Sequence, residues 1–221
     1  GNPQKSIHEQ FSEVKAQLHK KWHDAKYIAY FQANTNTYAP VAVLREKFEA
    51  ALAVDGIVGL NIATRADCLP PDVVAYLADL AERTDLTVEL GLQSSSDVTA
   101  ERIHRGHTWA QFLDGYNRLR AASGKIAVCV HLIFGLPGED DETMLQTVRD
   151  VAALRPEQVK LHLLHVLRET ELEKQWRAGF YQTLEEPHYI RLLASALELL
   201  PPETVICRLT GDGSRDDLLA P

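Results

Sequence analysis

Residues 88–107 read VELGLQSSSDVTAERIHRGH. Its first six residues alternate. Val88, Leu90 and Leu92 fall on one side of an extended chain, and Glu89, Gly91 and Gln93 on the other, because successive strand side chains point to opposite faces. The same two-faced pattern recurs up and down the chain. Val58, Leu60 and Ile62 oppose Gly59, Asn61 and Ala63; Val128, Val130 and Leu132 oppose Cys129 and His131; Val159, Leu161 and Leu163 oppose Lys160 and His162. In each case a bulky branched face stands against a small or polar one.

Strand-like runs lie near 26–32, 57–63, 86–92, 126–134, 159–166 and 203–209, and helical periodicity occupies 41–53, 71–83, 108–122, 141–154 and 187–199. Ahead of them, Ser6 and Glu9 have capping-box spacing, followed by Ile7, Phe11, Val14, Leu18 and Trp22 at helical intervals, so the chain opens on a helix. Strands alternating with helices predict βαβ units and a parallel sheet, either an open doubly wound sheet or a barrel. An ordinary barrel fills its centre with layers of branched side chains. A face of Gly, Asn, Glu, Gln, Lys and His therefore predicts a ligand chamber, while a doubly wound sheet whose polar residues satisfy one another stays open as the other reading.

The 221 residues suffice for one sizeable core, and a single domain over 1–221 is the expectation. Apolar residues at 45% and charged residues at 24% place the chain among globular proteins. The longest apolar stretch, Ile126 to Phe134, is far short of the roughly 20 residues a membrane helix needs, so no membrane association is expected. Three isolated cysteines, Cys68, Cys129 and Cys207, make no disulfide framework, which points to a reducing cytoplasm. The net charge of −8 gives no help in recruiting a phosphate backbone.

The strand end ELGLQS, the turn RGH at 105–107 and the loop GLPG at 135–138 resemble those of radical S-adenosylmethionine (radical SAM) enzymes, specifically the elongator catalytic subunit and the oxygen-independent coproporphyrinogen oxidases. YIAYFQANTNTYAP at 27–40, GLNIATRADCLP at 59–70 and LTGDGSRDDLLAP at 209–221 extend the resemblance over nearly the whole chain, to the uncharacterised YtqA/YhcC-like radical SAM family. The resemblance implies an α/β fold, a partial (β/α)6 TIM-like barrel of the radical SAM type. It also implies a [4Fe-4S] cluster held by a C-x-x-x-C-x-x-C loop. That loop does not occur here, where cysteines stand 61 and 78 residues apart, so no metal ligand is assigned within this chain. The first strand and the cluster loop are expected upstream, and a further portion downstream. The three cysteines present are read as structural.

The same resemblance implies roles for individual residues. Asn34 and Thr35 take the position that faces the methionine amine of S-adenosylmethionine in relatives, without the glycines found there. Asn61 and Thr64 stand where a ribose- or amine-contacting group is expected, and Glu89 shares the strand face of Gln93. Gln93 and Arg105, twelve apart, match a glutamine and an arginine that contact the cosubstrate, Gln93 at the ribose hydroxyls and Arg105 at the methionine carboxylate. His131 stands where the oxidases have aspartate, and is expected at the ribose. Gly135, Leu136 and Pro137 would bring backbone groups to adenine. His162 and His165, three apart on a strand, are expected on opposite faces and are rejected as a zinc pair.

The implied activity is reductive cleavage of S-adenosylmethionine to a 5′-deoxyadenosyl radical that acts on an unknown substrate, with an electron donor such as flavodoxin or ferredoxin. The 221 residues alone are expected to be inactive. A noncatalytic barrel module that binds S-adenosylmethionine or a protein partner is the competing reading. RNA enters as a substrate only by analogy to the elongator subunit, and the acidic balance does not favour it.

Overall fold

A computed structural model describes residues 5–19, 21–22, 24–32, 34–211 and 216–221. Ala33 and residues 212–215, which fall within two of the quoted motifs, lie outside the described residues. In chain order the elements are α1 (Ile7–His19), β1 (Tyr27–Phe31), α2 (Val41–Leu52), β2 (Ile57–Thr64), a 3-10 turn (Ala66–Cys68), α3 (Pro71–Ala81) and β3 (Asp85–Gln93). They continue with α4 (Asp97–Arg102), α5 (Trp109–Ala122), β4 (Ala127–Phe134), α6 (Asp141–Leu154) and β5 (Gln158–Leu163). Last come β6 (Val166–Leu167), α7 (Glu171–Arg177), α8 (Glu186–Leu199), β7 (Val205–Arg208) and β8 (Leu218–Ala220).

Six strands form one sheet in the order β1-β2-β3-β4-β5-β7, and the pairs β1–β2, β2–β3, β4–β5 and β5–β7 are parallel. β6 and β8 form a separate antiparallel pair. The expected strand over 159–166 breaks after Leu163. Leu164 still donates its N–H to the carbonyl of Phe134 (2.9 Å), but Val166 turns to pair with Ala220.

The chain divides into two compact units, Gly1–Leu90 with Gln111–Val128, and Gly91–Ala110 with Cys129–Pro221. In the first, the apolar face of the strands is sealed by helices. Phe31 of β1 meets Phe48 of α2 edge-on at 4.9 Å, Phe48 stacks on Tyr76 of α3, and Leu60, Ile62 and Leu90 are fully enclosed. Each such side chain contributes about 1.5–3 kcal/mol by leaving water. Phe11 of α1 packs on Tyr27, and the predicted capping box closes that helix reciprocally: Ser6 N–H donates to Glu9 (2.8 Å), and Glu9 N–H to Ser6 Oγ (3.2 Å).

In the second unit α6 packs with α8. Met144, Val148 and Val151 line the buried side of α6, and Tyr189, Leu192 and Ala196 that of α8, at the spacings of a single helical face. Asp140 caps α6 by accepting from Thr143 N–H (2.9 Å), and Ser96 caps α4 from Thr99 N–H (3.2 Å). No helix among the described residues is long and apolar enough to cross a membrane.

Candidate functional site

Of the residues expected at the ligand, Thr64 and Gln93 end their strands and Asn34, Thr35 and Gly135 lie just beyond theirs, whereas Asn61, Glu89 and His131 lie within theirs. Three of these positions adopt a left-handed backbone: Asn34 just beyond β1 (φ 64°), Gln93 at the end of β3 (φ 64°) and Gly135 just beyond β4 (φ 85°). For a non-glycine residue this conformation costs energy and is concentrated at ligand-binding turns.

In the first unit, Asn34 is exposed and Thr35 half-buried, on a turn held by Asn36, a residue the sequence pattern does not single out. Asn36 donates its side-chain N–H groups to the carbonyls of Phe31 (3.1 Å), Asn34 (3.3 Å) and Ala63 (2.9 Å), tying the end of β1 to that of β2. Thr64 faces inward: its hydroxyl meets that of Thr37 at 2.6 Å, and Thr37 donates to the carbonyl of Cys68. Thr64 thus braces the turn, while Asn61 stays partly accessible. Glu89, 1% exposed, accepts from the Tyr30 hydroxyl (2.7 Å) and from Asn61 Nδ2 (3.3 Å), uniting β1, β2 and β3 on the polar face.

In the second unit the Gln93 side chain folds back over Gly91, where a Cβ would come within 2.7 Å of its Nε2. The Arg105 side chain is 3% exposed. Its Nη1 donates to the carbonyls of Leu92 and Ser94, its Nε (2.9 Å) and Nη2 (2.7 Å) to that of His107, and Asp97 stands 3.8 Å away. The resemblance gives this fork to a ligand carboxylate; the structure gives it to the main chain, where it binds the RGH turn to the end of β3. A ligand carboxylate would have to displace those carbonyls.

The glycines of the GLPG loop are used by the protein itself. Gly135 donates to Met144 Sδ (3.1 Å) and accepts from the Tyr181 hydroxyl (2.7 Å), whose pKa burial pushes up to about 12. At Gly138 (φ 80°) a side chain would collide with the Arg102 guanidinium, which donates to the Pro137 carbonyl (2.7 Å). Leu136 is buried and Pro137 half-buried. Glu139, to which the sequence motifs assign no role, accepts from Ser94 Oγ (2.5 Å); burial raises its pKa, against the lowering effect of Ser94 and Thr99. Ser95 in turn bonds Thr147 and Asp150 of α6 (3.2 and 2.6 Å). Nothing but the run of three serines hints at this mesh in the sequence.

His131 and His162 share the half-exposed face of β4 and β5, their rings 5.5 Å apart. The expected separation of His162 from His165 on opposite strand faces does not hold: β5 ends at Leu163, so His165 is off the strand, and both rings lie 3.4–3.6 Å from where a Cβ of Gly211 would stand. His165 Nε2 bonds the Gly211 carbonyl (3.0 Å).

The alignment of polar residues at strand ends is matched by sequence kinship. Residues 2–151 match the radical SAM superfamily and residues 156–221 the radical SAM C-terminal domain. The chain belongs to the radical SAM superfamily. It is 49% identical over 221 residues to the uncharacterized protein YtqA of Bacillus subtilis, covering all of this chain and 68% of that protein. To protein YhcC of Escherichia coli it is 38% identical, over 89% of this chain and 63% of that one. It superposes on the archaeal Elp3 of Methanocaldococcus infernus with a TM-score of 0.83 at 20% identity, covering 97% of this chain and 55% of that one. With coproporphyrinogen III oxidase of Escherichia coli, a radical SAM enzyme, the TM-score is 0.59 at 16% identity, over 89% and 46%. The fold is thus the partial (β/α)6 type expected from the sequence.

Radical SAM chemistry calls for S-adenosylmethionine and a [4Fe-4S] cluster, and the residues present fit the two unequally. Amide acceptors and donors on Asn34, Asn61 and Gln93 suit ribose hydroxyls and an ammonium group. The cysteines do not fit a cluster. Cys129 is fully enclosed and the Cys68 thiol is pushed up by burial and by Asp67, whereas cluster iron takes deprotonated thiolates; Cys207 is exposed and hydrogen-bonds Gln158 (3.3 Å).

Proposed function

We propose that the full-length protein is a radical SAM enzyme that reductively cleaves S-adenosylmethionine and directs the resulting 5′-deoxyadenosyl radical at an unidentified substrate. A [4Fe-4S] cluster, which the cysteines of these 221 residues do not fit, would supply the electron chemistry when bound. This chain supplies the contacts to the adenosyl cosubstrate. The observation that carries the reading is the two-faced strand. Leu60, Ile62, Leu90, Leu132 and Leu161 are fully enclosed, whereas Asn61, Gln93, His131 and His162 on the opposite faces keep access to solvent. A barrel with no ligand to hold would have branched side chains at those positions.

Within this reading, Asn34 and Thr35 take the methionine end, Asn61, Gln93 and His131 take ribose hydroxyls, and main-chain groups of Gly135, Leu136 and Pro137 take adenine. Glu89 and Arg105 act behind them as positioning residues. The Arg105 strut fixes the end of β3 and so the aim of Gln93.

The test is anaerobic reconstitution of the full-length protein with iron and sulfide, followed by S-adenosylmethionine and dithionite. Release of 5′-deoxyadenosine is the expected result. A cluster-bearing protein that binds the cosubstrate without cleaving it would replace this reading with the noncatalytic one.

A further inference from the structure

An asparagine side chain has two ends alike in shape and opposite in chemistry: Nδ2 donates and Oδ1 accepts. Its neighbours decide which end a ligand meets. For Asn61 the neighbours lie on both flanking strands. Tyr30 of β1 is its register partner, and Glu89 of β3 stands opposite Ala63, one step along the same face. Ala63 presents only a methyl group there, which leaves room for Tyr30 and Glu89 to meet across β2.

Two bonds of the Glu89 carboxylate reach this pair: Oε2 takes the Tyr30 hydroxyl at 2.7 Å and Oε1 takes Asn61 Nδ2 at 3.3 Å. A carboxylate accepts and does not donate, so a reversed amide would set two acceptors face to face. The Tyr30 bond also stops the carboxylate from rotating away from Asn61. Glu89 is 1% exposed and Tyr30 41%, so the lock is anchored in the core and reaches the accessible side.

The geometry points to Tyr30 and Glu89 as positioning residues that hold Asn61 with its carbonyl oxygen turned away from Glu89, making it an acceptor dedicated to a hydroxyl or ammonium donor on the ligand. The inference rests on the S-adenosylmethionine reading, since that molecule carries both donor types. 5′-Methylthioadenosine keeps the ribose hydroxyls and lacks the ammonium group, so it separates the two sources.

The experiment is calorimetric titration of the full-length protein with S-adenosylmethionine and with 5′-methylthioadenosine. Glu89→Gln and Asn61→Ala each weaken binding about tenfold, the effect of losing one well-aimed hydrogen bond, and Tyr30→Phe by a smaller factor. The double variant Glu89→Gln/Asn61→Ala binds no worse than Asn61→Ala alone, because Glu89 acts through Asn61. Losses shared by both probes assign the donor to ribose; losses confined to S-adenosylmethionine assign it to the ammonium group. Additive losses in the double variant, or unchanged affinity in both Glu89→Gln and Tyr30→Phe, overturn the proposal. A parent protein that binds neither probe overturns the S-adenosylmethionine reading and this inference with it. Tyr30→Phe removes one oxygen from a part-exposed ring and carries the test where Glu89→Gln does not fold.

Discussion

Arg105 directs its guanidinium at main-chain carbonyls, and lysine cannot imitate that. An ammonium group is a point donor, whereas the planar fork reaches Leu92, Ser94 and His107 together. Arg105→Lys is expected to lose about 2–3 kcal/mol, the range for a hydrogen-bonded charge left partly unpaired, as read from urea unfolding. Gln93 makes a different prediction, because its left-handed backbone is strained for any residue with a Cβ. Gln93→Gly should hold or raise the melting temperature while weakening S-adenosylmethionine binding; a lower melting temperature with affinity intact would make Gln93 a strand terminator only. Glu139 bears on pH. Its folded pKa is raised by burial, so the stability it contributes is full below the ordinary carboxylate value near 4.5 and is lost as pH rises through the raised value. Glu139→Gln should remove that loss, and its stability relative to the parent should climb across that window and level off above it. The twelve-residue interval from Gln93 to Arg105 is legible in the sequence, but the partners of Arg105 are not, since main-chain carbonyls leave no trace in residue identity.

Among elements, α5 packs closely on the turn at Ala66–Cys68. A Cβ at Gly115 would collide with the Ala66 carbonyl, and backbone cannot yield as a flexible side chain does. Gly115→Ala is therefore expected to cost about 1–3 kcal/mol by overpacking, visible as a lowered thermal midpoint. The long elements are readable because periodicity accumulates over a dozen residues: α6 runs over 141–154 as expected, and α2 and α3 differ from expectation only at their ends. α4 and α7 span 6 and 7 residues, too few for a helical period to stand out, and capping by Ser96 and Thr170 defines them instead. β6 and β8 are paired only by tertiary contact. The break after Leu163 is hidden in the sequence because Leu163, Leu164 and Val166 prolong an apolar run, and it is this break that lets His165 turn back toward His162.

For the molecule as a whole, fold and family are legible from motif order and strand alternation, while the site is legible in outline only. Gln93, Asn61 and His131 fall on the polar strand faces that the alternation predicts and keep partial access to solvent. Thr64 and Arg105 turn inward to support their neighbours, and Tyr30, Asn36 and Glu139 become visible only through the hydrogen bonds they make. Separating a residue that contacts a ligand from one that aims it requires those partners. The 221-residue chain alone should release no 5′-deoxyadenosine under reducing conditions, assayed by chromatography; release would move the cluster ligands into this sequence.

The serine mesh has a dynamic consequence. Ser94 grips Glu139, Ser95 grips Asp150, and Arg102 grips Pro137, so the segment after β3 and the segment after β4 are geared like meshed teeth. The two segments are expected to open together, so that amide exchange in both reports one shared opening free energy.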